Sequence, residues 1–147
     1  MPVYLFPDSK LDFCKTDLFA FCRLFLQHEE LLAVFKKKFK DVPVDQLAKS
    51  PELENHASQV MSTLDEAIHS LNNLNFFFEL LYTIGVTHRD IAGFRPEYFW
   101  RIEQPFLDAV KETLGERYTH NMEQIYQVTI KFIIDTLYKG YTKGAVK

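Results

Sequence analysis

The stretch from Ser50 to Leu71, SPELENHASQVMSTLDEAIHSL, decides how the chain is read. It opens on Ser50-Pro51-Glu52: a hydroxyl to cap, a proline suited to the first helical turn, and an acid near the positive helix end. Apolar residues then recur at Leu53, Ala57, Val60, Met61, Leu64, Ala67, Ile68 and Leu71, which is helical spacing. His56 follows Leu53 by three positions and precedes Val60 by four, so the period turns it inward with them. A second stretch carries Leu80, Leu81, Ile84 and then His88 at the same spacing. Between them, Asn72-Asn73-Leu74-Asn75 reads as a tight reversal. Two neighbouring helices are thus expected to aim one imidazole each at the same interior space.

Two explanations compete for such a pair. A histidine on an apolar helix face is most often a packed side chain with one hydrogen bond. Imidazole is also a ligand for several metals, and two on adjacent helices suit that role. Zinc fits poorly, because a structural site usually takes four ligands and no Cys or His stands at the short spacing it uses. A metal already held in a large apolar cofactor needs only one or two axial imidazoles. Hydrophobic residues make up 47% of the chain and aromatics 15%, with 14 phenylalanines beside a single Trp. That load suits a wide apolar cavity as well as an ordinary core.

The 147 residues suffice for one domain with a sizeable core and not for two. One domain is expected over 1–147, with 1–10 a short N-terminal segment and 142–147 a loose tail. A formal charge of −3 creates no global positive field, so nucleic acid is not an expected partner. The basic run Lys36-Lys37-Lys38 with Lys40 reads as a solvated face. No apolar run is long enough for a bilayer, so no membrane span is expected. Met1-Pro2-Val3-Tyr4 leads into no signal-peptide pattern. Cys14 and Cys22 on one helix would stand roughly 12 Å apart along its axis, too far to bridge. A reduced, cytoplasmic setting follows as the simplest expectation.

In chain order, Pro2 and Pro7 keep Met1 to Lys10 from forming a long helix. Leu18, Phe21, Cys22 and Phe25 mark a buried helix from about Leu11 to Gln27. A short helix is expected over Glu29–Phe35, then a polar connection over Lys36–Lys49. The two histidine helices follow, ending near Leu71 and at His88. Gly93-Phe94-Arg95-Pro96 breaks the chain and starts a helix that carries Phe99, Ile102, Phe106, Val110 and Leu114 and stops at Gly115. Pro105 should kink that helix or mark a boundary within it. Thr119 can cap a last helix with the face Met122, Ile125, Thr129, Phe132 and Ile133, running to about Tyr138. Nothing argues for a strand, and the class is all-α.

At this point the residues resemble the globin family. Arg23-Leu24-Phe25 followed by His28-Glu29-Glu30-Leu31-Leu32-Ala33-Val34-Phe35 is similar to the globin B-to-C segment, which ends in a phenylalanine stacked on the haem. Pro51-Glu52-Leu53-Glu54-Asn55-His56 resembles the opening of the E helix with its distal histidine, and Val60 matches the apolar residue over the haem. Ile84 and His88, then Phe94-Arg95-Pro96-Glu97-Tyr98-Phe99, resemble the proximal histidine and the start of the G helix. The resemblance spans roughly Leu11 to Tyr141. It implies a 3-over-3 globin-like helical fold and haem b as cofactor, held without thioether links because there is no Cys-x-x-Cys-His.

The resemblance also implies roles. Globins hold their haem iron on a proximal histidine, in a pocket enclosed by packed helices. His88 would bind iron, with Thr87 or the Ile84 carbonyl accepting its other ring N–H. Phe35 would press on the porphyrin, Phe21 would close the distal side, Phe94 and Phe99 would line the proximal edge, and Lys37 would reach a propionate. The alternative for Lys37 is an ordinary surface lysine. His28, His69 and His120 are expected to face solvent. Two departures stand out. The first globin helix is shortened or missing, and Phe21 occupies the place of a tyrosine found in many oxygen-avid globins. Phenylalanine cannot donate a hydrogen bond, so His56 must be the distal donor. The leading functional expectation is reversible binding of oxygen, for storage, transport or supply, with no enzymatic turnover. The alternative is a hexacoordinate globin, resembling neuroglobins, in which His56 is the sixth ligand and the role is redox chemistry, electron transfer or sensing. Nitrite or peroxide chemistry would be a side activity. Expected partners are oxygen and other diatomic ligands (CO, NO), with a homodimer allowed.

Overall fold

The structure, a computed structural model, describes residues 24, 25, 27–39 and 50–143, and of 36–39 the backbone alone. The expected N-terminal segment, the first-helix departure, Phe21, both cysteines, the Lys37 side chain and the C-terminal tail from 144 lie outside the described residues. Among those described there is no strand. The helices are α1 (Glu29–Phe39), α2 (Pro51–His69), α3 (Leu74–Thr87), α4 (Glu103–Leu114) and α5 (His120–Lys143). Short 3₁₀ turns cover His88–Asp90, Pro96–Ile102 and Gly115–Arg117. Leu24, Phe25 and Gln27 are also helical.

Local chemistry sets these boundaries. The Ser50 hydroxyl accepts the Leu53 N–H at 3.3 Å and donates to Glu52 at 2.9 Å, with Pro51 in the first turn. The Asn73 side chain accepts the Phe76 N–H and opens α3. The Thr119 hydroxyl accepts the Met122 N–H and opens α5.

Several expectations are corrected. The polar connection does not begin at Lys36, because α1 runs through Phe39; lysine is a good helix former that carries no apolar period. The helix expected from Pro96 divides into a 3₁₀ segment and then α4. Pro105 is the third residue of α4, where the first N–H groups have no partner within the helix, so it marks a boundary. α5 continues past Tyr138 to Lys143. Its buried face is Tyr126, Ile130, Ile133, Ile134 and Leu137, while Ile125 and Phe132 are exposed.

Two apolar clusters result. The larger joins α2 through Met61, Leu64 and Ala67 to α3, α4 and α5. The smaller joins Leu24, Phe25, Leu31 and Phe35 to Leu53 and Ala57 of α2. Val60 and Ile102 pack against both. No helix of the described residues is long and apolar enough to cross a membrane.

Candidate functional site

A cavity of about 400 Å³ is lined by residues of both clusters. Phe35 borders it from α1; His56, Gln59, Val60, Thr63 and Leu64 border it from α2. From α3 and the residues beyond come Leu81, Ile84, Thr87, His88, Phe94 and Phe99. The described side chains of the sequence-derived candidates, Phe35, His56, Val60, Ile84, His88, Phe94 and Phe99, are thus brought to one space. His28, His69 and His120 do not border it; they lie near Glu30, Asp65 and Glu123 respectively.

His88 owes its place to the end of α3. Phe77, Leu81 and Gly85 form the buried stripe of that helix, and Ile84 and His88 fall on the adjoining stripe, four residues apart. His88 caps α3, and its Nδ1 lies 2.7 Å from the Ile84 carbonyl oxygen. A carbonyl only accepts, so Nδ1 carries a proton, and in the neutral ring Nε2 is the nitrogen that can serve as a ligand. The Thr87 hydroxyl donates to the same carbonyl at 2.6 Å. Phe94 and Phe99 flank the imidazole with ring centroids at 5.1 and 5.0 Å. Phe94 is fixed in turn by the Tyr141 hydroxyl, which donates to its carbonyl at 3.0 Å.

His56, which lines the same cavity, is half-buried between Leu53 and Val60 on α2. Its ring centroid stands 6.0 Å from that of Phe35, which packs at 5.0 Å on Phe25. At the start of α2, its own backbone N–H and the Ser50 hydroxyl hold the Glu52 carboxyl below the usual carboxylate range. The helix N-terminus is thereby paired with a negative charge.

Among the described residues no group of three or more His, Cys, Asp or Glu is placed to hold a bare metal ion. Two imidazoles on an apolar cavity suit a metal that arrives with its other ligands in a flat apolar cofactor. The donor set and the aromatic lining therefore fit haem. Sequence reading missed Gln59, Thr63 and Tyr98 as lining residues. The first two follow His56 by three and seven positions, a helical spacing that could have flagged them. It also missed Tyr141, for which no local signal exists.

Comparison with known proteins agrees with this geometry. The globin family model matches residues 18–137. The neuroglobin of Tetraodon nigroviridis is 26% identical over 124 residues, covering 84% of this chain and 77% of that one. The haemoglobin subunit beta-3 of Aquarana catesbeiana is 21% identical over 95 residues, covering 65% of this chain and 63% of its own length. Among solved structures, a hexacoordinated haem protein from an anhydrobiotic tardigrade, crystallised at pH 4, superposes with a TM-score of 0.80 at 28% identity. That match covers 91% of this chain and 84% of the tardigrade chain. An all-helical haem-binding fold is the class these observations define. The chain belongs to the globin family.

Proposed function

We propose that this globin holds haem b with His88 as the proximal iron ligand and His56 on the opposite side. We propose further that it would bind a diatomic ligand there, oxygen foremost and CO or NO in the same way. The observation that carries the reading is that both imidazoles border one apolar cavity, with His88 locked in the tautomer that offers Nε2. Haem, when bound, supplies an iron position at which a diatomic gas binds or an electron is exchanged.

The residues of the chain do the rest. The Ile84 carbonyl fixes the His88 ring and raises its basicity as a ligand. Phe35, Val60, Phe94 and Phe99 exclude water and present apolar surface to the macrocycle. His56 supplies either a sixth ligand or a hydrogen-bond donor to the guest. The likeness to a hexacoordinated haem protein supports the first role, which would suit redox chemistry, electron transfer or sensing. The likeness to a haemoglobin subunit supports the second, an oxygen store or carrier. The visible spectrum of the reduced, gas-free protein tests the reading. Two sharp bands mean two axial imidazoles, and one broad band means an open site. A colourless preparation that stays colourless after hemin is added sinks the haem assignment.

A further inference from the structure

α3 and α5 cross at a pair of glycines, one turn before His88. Gly85 and Gly140 are both buried inside helices, where glycine weakens the helix. The glycines that need positive φ are elsewhere, Gly93 at 85° and Gly115 at 52°, so backbone freedom does not explain this pair. Space does. A Cβ on Gly85 would collide with the Leu137 carbonyl oxygen and lie 2.8 Å from the Tyr141 nitrogen. A Cβ on Gly140 would lie 2.7 Å from the Tyr82 Cα and 2.8 Å from the Tyr82 carbonyl oxygen. These are backbone atoms and cannot swing aside. The two helices touch backbone to backbone.

The neighbours of both glycines reach His88. Ile84, just before Gly85, gives its carbonyl to His88 Nδ1. Tyr141, just after Gly140, donates its hydroxyl to the Phe94 carbonyl across 47 positions of sequence. The Tyr141 ring also packs beside Phe94 and Phe99, the two rings that flank His88. The crossing therefore bears on the imidazole from its own helix and from its ring cage.

We propose that the Gly85–Gly140 crossing is a positioning device for His88, setting how far the imidazole reaches into the cavity and holding its lean. It rests on the reading of His88 as the haem ligand. A methyl group at either glycine must force α3 and α5 apart until contacts below 3 Å open past 3.4 Å. That motion carries the Ile84 carbonyl, His88 and the Tyr141–Phe94 link with it.

Gly85→Ala and Gly140→Ala test this against Val110→Ala, which damages the same core from α4 without bordering the cavity. Two quantities are read in the full chain as purified: amide exchange over 84–94, and the iron–histidine stretching band after photolysis of the CO complex. Both glycine variants are expected to speed exchange over 84–94 by about tenfold relative to Val110→Ala at matched stability, and to shift or split the band. Glycine variants that lower the melting temperature yet keep wild-type exchange over 84–94 and a wild-type band overturn the proposal. If the wild-type chain takes up no hemin, the haem reading fails on its own, and the exchange comparison still decides the positioning claim. If neither glycine variant folds, Tyr141→Phe carries the test from the same crossing. Faster exchange over 91–94 supports the proposal, and unchanged exchange overturns it.

Discussion

The wall of the cavity that carries His88 and the wall that carries His56 are built differently. His88 has a hydrogen bond to its own helix, two flanking phenylalanines, and Tyr141 closing the cage behind them. That wall belongs to the larger of the two cores, shared by α2, α3, α4 and α5. His56 stands between Phe35 and its own helix, and the smaller cluster behind it joins α1 to the start of α2. The two walls thus draw on different cores, and substitutions in each can be compared.

The largest expected effect breaks the His88 wall outright. His88→Ala should leave the protein without haem, or with haem that added imidazole restores. Retention of haem with a wild-type spectrum would move the proximal role to another residue and erase the asymmetry. Next comes the core behind each wall. Phe77 is fully buried and stacks on Phe132 at 4.9 Å and 8°, so Phe77→Ala should cost about 3–5 kcal/mol in urea unfolding. Phe35→Ala, in the smaller cluster, should cost less; an equal or greater loss would show the two walls to be equally firm.

A smaller change probes the His56 side. If His56 is the sixth ligand, His56→Leu should raise the CO association rate sharply. If it donates a hydrogen bond instead, the same change should speed oxygen dissociation by about one to two decades, the equivalent of about 1–3 kcal/mol. Rates unchanged in both experiments would remove His56 from the binding event.

The smallest effect concerns the firm core itself. Among the described residues the buried Tyr126 hydroxyl has no hydrogen-bond partner, so Tyr126→Phe should be neutral or add up to about 1–3 kcal/mol of stability near pH 7. Burial pushes the Tyr126 phenol up, and charge on Tyr118 adds to the shift. A folded pKa above the unfolded one means the proton is held more tightly in the folded state. That contribution is complete below the ordinary tyrosine value of about 10 and is lost as pH rises through the raised one. Melting temperatures on the alkaline side should fall less steeply for Tyr126→Phe than for the wild-type chain. Parallel curves would mean that the phenol ionises as easily folded as unfolded.

Much of the site was legible because two helices advertise it with period and caps. Ser50-Pro51-Glu52 fixed the start of α2, and the spacing from Leu53 then dictated which side His56 would face. The Ile84–His88 interval did the same at the end of α3. Lys36–Phe39 misled because a lysine run carries helix propensity without an apolar stripe. The face of α5 was misread because Ile125, Val128 and Phe132 are apolar and helically spaced yet exposed; periodicity alone cannot say which of two apolar stripes is buried. Gly85, Gly140 and Tyr141 gave no local signal. Their roles depend on which helix lies against which, a long-range fact that no window of sequence contains.

The position of Tyr141 also has a consequence for how the protein is made. A ribosome releases His56 and His88 well before Gly140 and Tyr141, which follow His88 by more than fifty residues. Until α5 is free, α3 has nothing to rest on at Gly85, and the carbonyl of Phe94 waits for its donor. At about 5–20 residues per second that interval lasts seconds. Both imidazoles are therefore present on the nascent chain before the wall that steadies one of them exists. Haem capture is expected to be a late event of synthesis, and a chain arrested short of Gly140 should display both histidines yet hold the cofactor poorly.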